Sequence, residues 1–167
     1  TIILYIVLTV ALIAVCMTLL TSKDNAEKVK LGEVIALFDE NKTMLDSVTG
    51  PGSNHENLES SFDGASDIIM EGLNALCSKA GIALSDVSFT LMGLAGIDHP
   101  YQHDALCEEL TKRGLKNFRI YNDGFIVIKA GGKEGAGIGY NCGTGTCCNS
   151  IDSRGEMLQI GCFDRLS

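Results

Sequence analysis

Residues 118–152 read FRIYNDGFIVIKAGGKEGAGIGYNCGTGTCCNSID, and two short motifs in this stretch decide the fold that we expect. The first is Asn122-Asp123-Gly124, which follows a strand predicted at Asn117–Tyr121 and places a carboxylate at the end of that strand. The second is the turn Gly143-Thr144-Gly145-Thr146. It joins two further predicted strands, Ala136–Cys142 and Cys147–Asp152.

The two motifs together suit phosphoryl transfer to a hydroxyl group. Two glycines in a tight turn let backbone N–H groups converge on a phosphate, and the hydroxyl groups of Thr144 and Thr146 add donors. The carboxylate of Asp123 can take the proton of the attacking hydroxyl group while these donors stabilise the transferred group. Each motif alone is more typical of a plain turn, and that alternative stays open at this point.

The order of the predicted elements indicates an α/β fold. An initial hairpin is followed by alternating strands and helices, which gives a mixed sheet with a parallel portion and flanking helices. Phe125–Ala130 is ambiguous between helix and strand, because Phe-Ile-Val-Ile has strand propensity. The predicted elements are the antiparallel strands Glu33–Phe38 and Thr43–Thr49, the helix Ser60–Ala80, the strand Val87–Leu94, the helix Tyr101–Arg113 and the strand Asn117–Tyr121.

Five short motifs follow one another between Gly50 and Gly161. They are Gly50-Pro51-Gly52-Ser53-Asn54-His55, Gly93-Leu94-Ala95-Gly96-Ile97-Asp98, Asn122-Asp123, Gly143-Thr144-Gly145-Thr146, and the hairpin Asp152–Gly155 leading to Gln159-Ile160-Gly161. Their order and spacing resemble the N-acetylglucosamine kinase and BadF/BadG-type ATPase family, within the sugar kinase, Hsp70 and actin superfamily. The resemblance implies a ribonuclease-H-like (actin-like ATPase) lobe over residues 31–132 and the first hairpin of a second lobe over residues 133–167.

The resemblance also implies roles for single residues. Asp123 would be the catalytic base that activates the 6-hydroxyl group of a sugar. Asn54 and Ser53 lie in the implied sugar-binding segment, where an amide offers one acceptor and two donors. Asn122 and Asp98 are implied to bind the substrate at the border of the cleft. The second phosphate loop would consist of Gly143, Thr144, Gly145 and Thr146.

By the same resemblance, the whole protein is expected to phosphorylate an amino sugar, N-acetylglucosamine to its 6-phosphate, with ATP and Mg²⁺. Its expected partners are the sugar and the nucleotide, and a homodimer is a further expectation. Two alternatives stay open. One is a BadF/BadG-type ATPase that activates a redox partner through an iron–sulfur cluster, and the other is a membrane-tethered sugar sensor without catalytic activity.

The amino-terminal part departs from the family's pattern. The family opens with a strand and an Asp-Gly-Gly-Gly-Thr-Lys-Thr loop that holds the ATP phosphates, whereas Asp24–Lys30 contains no glycine. Family members are also considerably longer than this chain. We therefore expect an amino-terminal fragment that lacks the first strand and the first phosphate loop, and that is inactive by itself.

Residues 1–22 carry no charge, and Ile2–Leu20 is a nineteen-residue apolar run. As a helix it would span about 28 Å, close to the hydrocarbon thickness of a bilayer. Three interpretations compete: a transmembrane anchor, an uncleaved export signal, and a mis-joined start that displaced the family's first strand. The rest of the chain is expected to form a cytoplasmic domain, which is membrane-anchored if the run is genuine.

Composition argues against several classes of site. The chain has 21 acidic and 13 basic residues, a net charge of −8 and no basic patch, so nucleic acid is not an expected partner. Seven cysteines without framework spacing favour reduced thiols. Cys142, Cys147 and Cys148 are predicted to be packed side chains rather than metal ligands. His99 and His103 have no third ligand in view, so no metal-binding residue is predicted.

Overall fold

The computed structural model describes residues 33–131, 135–142 and 146–163. Within them, strands and helices alternate after an initial pair of strands, and short 3₁₀ turns occupy His55–Asn57 and Leu84–Asp86. The elements in chain order are β1 (Glu33–Phe38), β2 (Met44–Gly50), α1 (Ser61–Ala80), β3 (Thr90–Leu94), α2 (Pro100–Lys112), β4 (Phe118–Asn122), α3 (Asp123–Gly131), β5 (Gly137–Cys142), β6 (Thr146–Ile151) and β7 (Met157–Phe163).

An antiparallel hairpin of β1 and β2 opens the described part of the chain. Asp39 fixes the turn between the two strands, because its Oδ1 accepts hydrogen bonds from the backbone N–H groups of Asn41 and Thr43 at 2.9 and 2.8 Å. The predicted antiparallel hairpin is confirmed, with its second strand shifted by one residue.

Helix α1 supplies the centre of the core, because its apolar residues recur every three or four positions. Ala65, Ile69, Leu73 and Leu76 are at most 1% exposed. Gly81, with a φ of 70°, ends the helix in the left-handed conformation. The predicted helix Ser60–Ala80 is thus confirmed to within one residue. Its side chains share one buried cluster with residues of β1, β3, α2 and β4, among them Leu37, Met92, Leu106 and Ile120.

Strands β3 and β4 form a parallel pair, with Leu94 opposite Asn122 at their carboxyl ends. Helix α2 connects them, and the predicted parallel portion of the fold is confirmed. Strand β3 begins at Thr90, not at the predicted Val87, because the chain before it forms a 3₁₀ turn over Leu84–Asp86. The two carboxyl ends therefore lie side by side.

The strands form three separate sheets, with the orders β1-β2, β3-β4 and β5-β6-β7. The α/β class with helices packed on sheets is confirmed, but the single mixed sheet that we predicted is not observed in the described part of the chain. The antiparallel pair and the parallel pair are held together by the apolar side chains of their common core, not by a ladder of hydrogen bonds.

The ambiguous segment Phe125–Ala130 is helical and belongs to α3. Phe125 and Ile128 are buried in a second, smaller cluster with Ile151 of β6. Glycine in β5 allows a close approach, since a Cβ atom at Gly139 would lie 2.8 Å from Cγ1 of Ile128. Packing against the third sheet thus decides the conformation of a segment whose propensity favours a strand.

The third sheet has one covered and one exposed face. Cys147, Asn149 and Ile151 alternate along β6 and are buried. Among the described side chains, the large apolar ones on the exposed face are Ile138, Tyr140, Leu158 and Ile160, while Met157 is partly exposed at the edge of the covered face.

Among the helices of the described residues, none is long and apolar enough to cross a membrane. The predicted apolar helix over residues 1–22 lies outside the described residues. The division into lobes at residues 132 and 133 stays a prediction.

Candidate functional site

Three of the predicted site residues meet at the carboxyl ends of β3 and β4. Asp98 lies in the loop after β3, Asn122 is the last residue of β4, and Asp123 is the first residue of α3. Nδ2 of Asn122 donates a hydrogen bond to Oδ1 of Asp98 at 3.0 Å. The parallel pairing of the strands is the reason why residues 24 positions apart in sequence become neighbours here.

Asp123 has the electrostatic surroundings of a general base. Its burial raises the pKa of the carboxyl group above the ordinary value, the hydrogen bond from the backbone N–H of Gly124 lowers it, and the nearby charge of Asp98 raises it. A raised pKa gives a carboxylate a higher proton affinity than that of a surface aspartate, which suits proton abstraction from a hydroxyl group.

Two further residues complete the polar network, and neither was predicted as a site residue from the sequence. Nε2 of Gln159 in β7 donates to Oδ1 of Asp98 at 2.6 Å. Nδ2 of Asn149 in β6 donates to Oδ1 of Asn122 at 2.8 Å. Asn149 is 1% exposed, and its Oδ1 is buried without a hydrogen-bond partner in the described part of the chain. A sequence signal existed for Asn149, because it occupies an inward position between Cys147 and Ile151, where a polar residue is unusual.

Gly124 lets the network approach α3. A Cβ atom at this position would overlap Nδ2 of Asn149 and would lie 2.8 Å from its Cγ and 3.1 Å from Oδ1 of Asn122. The backbone N–H of Gly124 also donates to Oδ1 of Asn122 at 2.9 Å. Only glycine therefore allows Asn149 to lie against the first turn of α3.

Glu33 of β1 holds the segment with Ser53 and Asn54 in place, and this segment lies against the loop after β3. The backbone N–H of Ser53 donates to Oε1 of Glu33 at 2.7 Å, and the Ser53 hydroxyl group donates to the same oxygen. Burial raises the pKa of Glu33, and the two hydrogen bonds from Ser53 oppose that shift. Oδ1 of Asn54 accepts from the backbone N–H of Glu56 at 3.0 Å and so caps the 3₁₀ turn.

Gly96 is the point of contact between the two loops. It has a φ of 78°, and a Cβ atom there would lie 2.5 Å from Oδ1 of Asn54 and 3.2 Å from Nδ1 of His55. Glycine is thus required both for the backbone conformation and for the close approach. Asn54 consequently lies beside the loop that carries Asp98.

The side chains of His55 and Gln102 form a second contact between the same two loops. The His55 ring is buried and stacks on Phe62, with the ring centroids 4.1 Å apart. Nε2 of Gln102 lies 3.5 Å from Nε2 of His55, while Oε1 of Gln102 accepts from the backbone N–H groups of Asp98 and His99, each at 2.8 Å. The side chain of Gln102 therefore fixes the loop of Asp98 to the start of α2.

The predicted phosphate loop is placed only at its end. Gly143, Thr144 and Gly145 lie outside the described residues, and Thr146 is the first residue of β6. The strand that follows contributes Asn149 to the network, so the loop leads directly into a strand that contacts α3.

The carboxylates of the site fit a magnesium ion bound together with a nucleotide. Mg²⁺ is usually held by one or two carboxylates together with phosphate oxygens, and Asp98 is close enough for its charge to raise the pKa of Asp123. The described residues contain no group of three or more His, Cys, Asp or Glu side chains that could hold a metal ion by themselves. Cys147 is buried in β6, the neighbouring Cys148 is a free thiol, and His103 contacts Asp104 and Cys107.

Two solved structures match part of this chain, and the first of them has a similar fold. The chain resembles a protein assigned as an N-acetylglucosamine kinase from Chromobacterium violaceum, with a TM-score of 0.56 and 19% identity, over 78% of this chain and 45% of that one. It thus spans less than half of the length of that protein. YeaZ from Pseudomonas aeruginosa matches with a TM-score of 0.40 and 18% identity, over 78% of this chain and 60% of that one.

Comparison with the curated proteins gives no match. The sequence model of the BadF/BadG/BcrA/BcrD ATPase family matches residues 33–167, which include every residue of the network described above. The predicted family is thereby confirmed, and the chain belongs to the BadF/BadG/BcrA/BcrD ATPase family.

Proposed function

We propose that the whole protein transfers the γ-phosphoryl group of ATP to the 6-hydroxyl group of an amino sugar, N-acetylglucosamine, with Asp123 as the general base. The observation that carries the proposal is the position of Asp123. Its half-buried carboxyl group, with a raised pKa, stands at the end of β4 beside a second carboxylate that two amides orient.

In the proposed reaction, the sugar oxygen attacks the γ-phosphorus while the hydroxyl proton passes to the Asp123 carboxylate. The bond from phosphorus to the bridging oxygen breaks, and ADP leaves. Asp98 accepts a hydrogen bond from a sugar hydroxyl group, because Asn122 and Gln159 hold its carboxylate in one orientation. Asn54 offers its amide N–H groups to the acetamido oxygen, since its own Oδ1 is engaged by Glu56. Mg²⁺ bound with the nucleotide would supply charge neutralisation on the phosphates.

A second candidate is an ATPase that drives a redox partner, and the family model that matches the chain is one of an ATPase family. That protein would hydrolyse ATP without a sugar acceptor. Measuring ADP release by the whole protein with and without N-acetylglucosamine separates the two candidates. A sugar kinase requires the sugar for sustained turnover, and sugar-independent turnover would favour the ATPase.

The kinase proposal is tested by Asp123→Asn in the whole protein. Asparagine keeps the shape of the side chain but cannot accept the proton, so kcat should fall by about 10²–10⁴-fold while KM for the sugar changes little. The control is Asp104→Asn, a change at an exposed carboxylate outside the network, which should leave kcat unchanged. A near-native kcat for Asp123→Asn would remove this residue from the role of base.

A further inference from the structure

The structure has a second concave site, which is lined by residues other than those of the network. It is a pocket of about 720 Å³, within the usual size range of small-molecule sites. Its walls come from the end of β1, from the parallel pair β3-β4, from α3, and from β6 and the start of β7. Four aromatic side chains form much of the apolar lining: Phe38, Phe89, Tyr121 and Phe125. None of the residues that we assign to the phosphoryl-transfer site is among the lining residues.

Three cations also line this pocket: Lys42, Arg119 and Lys129. No Asp or Glu occurs among the described lining residues. The chain as a whole has a net charge of −8, so a pocket lined by cations without acidic side chains differs in charge from the rest of the molecule.

The lysines and arginines of the pocket differ from most of the others in the described residues, which form ion pairs. The described residues include eight lysines and arginines. Four of them form ion pairs with acidic side chains, namely Lys79, Lys112, Arg113 and Arg154. Of the four that form none within the described part of the chain, three line this pocket and the fourth is Lys116. Unpaired positive charge is thus concentrated around one apolar cavity.

We propose that this pocket binds a small organic anion with an apolar body, such as a medium-chain monocarboxylate. The aromatic and aliphatic lining would bury the body of the ligand, which supplies affinity in proportion to the apolar area removed from water. The three cations would hold the carboxylate, and the guanidinium group of Arg119 can bind it through two parallel hydrogen bonds. An extended polyanion does not fit, because the remainder of the chain is acidic and would repel it.

The test is calorimetric titration of the full chain at low ionic strength with three probes. Decanoate carries both the body and the charge, decanamide carries the body alone, and acetate carries the charge alone. We expect saturable binding of decanoate, about fivefold or more tighter than that of decanamide, and no measurable binding of acetate. Raising the salt concentration to about 0.5 M should abolish the preference for decanoate, since the cations are exposed to solvent.

The double variant Arg119→Gln/Lys129→Gln removes two of the three charges and keeps an unbranched polar side chain at both positions. It should bind decanamide as before, while its preference for decanoate falls to about twofold or less. Lys116→Gln is the matched control, because Lys116 is also exposed and unpaired within the described residues but does not line the pocket. It should leave both affinities unchanged. Absence of saturable decanoate binding, equal binding of decanoate and decanamide, or an equal effect of the control variant would overturn the proposal.

Discussion

Replacing Gly124 with alanine is expected to destabilise the protein, because the added Cβ atom would overlap Nδ2 of Asn149. The Asn149 side chain cannot move aside without losing its 2.8 Å hydrogen bond to Asn122. It is 1% exposed, so no water can replace that bond. The substitution therefore separates α3 from β6 at the point where the network of the candidate site is held together.

The size of the effect follows from three contributions. Leaving the buried amide of Asn149 without a partner costs about 1–3 kcal/mol. Forcing the extra methyl group between α3 and β6 costs a further ~1–3 kcal/mol of strain. Alanine offsets at most about 1 kcal/mol of this loss, because it is a better helix former than glycine. The free energy of unfolding should thus fall by about 1–6 kcal/mol.

Urea denaturation of both variants checks this value. Gly131→Ala is the control in the same helix, because a Cβ atom at Gly131 would meet no other atom within 4 Å. That variant should be as stable as the parent or slightly more stable. The double variant Gly124→Ala/Asn149→Ala should be less destabilised than the sum of its single changes, since truncating Asn149 removes the overlap. Equal stability of Gly124→Ala and Gly131→Ala would refute the reasoning.

Three further predictions concern the site and the core. Asn54→Ala in the whole protein should weaken sugar binding by about 1–3 kcal/mol and leave nucleotide binding nearly intact, as measured by separate calorimetric titrations; an equal loss for both ligands would indicate a damaged fold. Asp123→Asn should raise the free energy of unfolding at neutral pH, because the folded-state pKa of Asp123 lies above its unfolded value and ionisation therefore opposes folding. The gain should shrink as the pH falls through the folded pKa towards 3.8, and a gain independent of pH would contradict the raised pKa. Leu73→Ala should lower the free energy of unfolding by about 2–5 kcal/mol, because Leu73 is 1% exposed in the central cluster, and a loss below 1 kcal/mol in urea denaturation would mean that the cluster collapses around the gap.

Local patterns in the sequence were sufficient to locate most elements. The three- and four-residue spacing of apolar residues in α1 and the glycine that follows it predicted that helix to within one residue. The parallel pair could be predicted from the alternation of strands and helices, and this pairing is what brings Asp98 to Asn122. The positions of the candidate site at the ends of β3 and β4 could therefore be predicted from the sequence.

Contacts between segments far apart in the sequence could not be predicted from local patterns. The segment Phe125–Ala130 is ambiguous between helix and strand in the sequence, and as a helix it packs Phe125 and Ile128 against Ile151. Asn149 and Gln159 join the network through the register of the third sheet, which depends on tertiary contacts. The separation of the first four strands into two sheets likewise arises from the placement of whole elements around the core.

The bond between Gln159 and Asp98 has a consequence for the time at which the site is completed during synthesis. The two residues are 61 positions apart, and a ribosome that adds about 5–20 residues per second needs ~3–12 s to cover that interval. Over this period the loop after β3 already exists, and its carboxylate lacks one of its two amide donors. Strands β1 to β4 can therefore fold early on the ribosome, while the Asp98 carboxylate gains its hydrogen bond from Gln159 only after β7 has been synthesised.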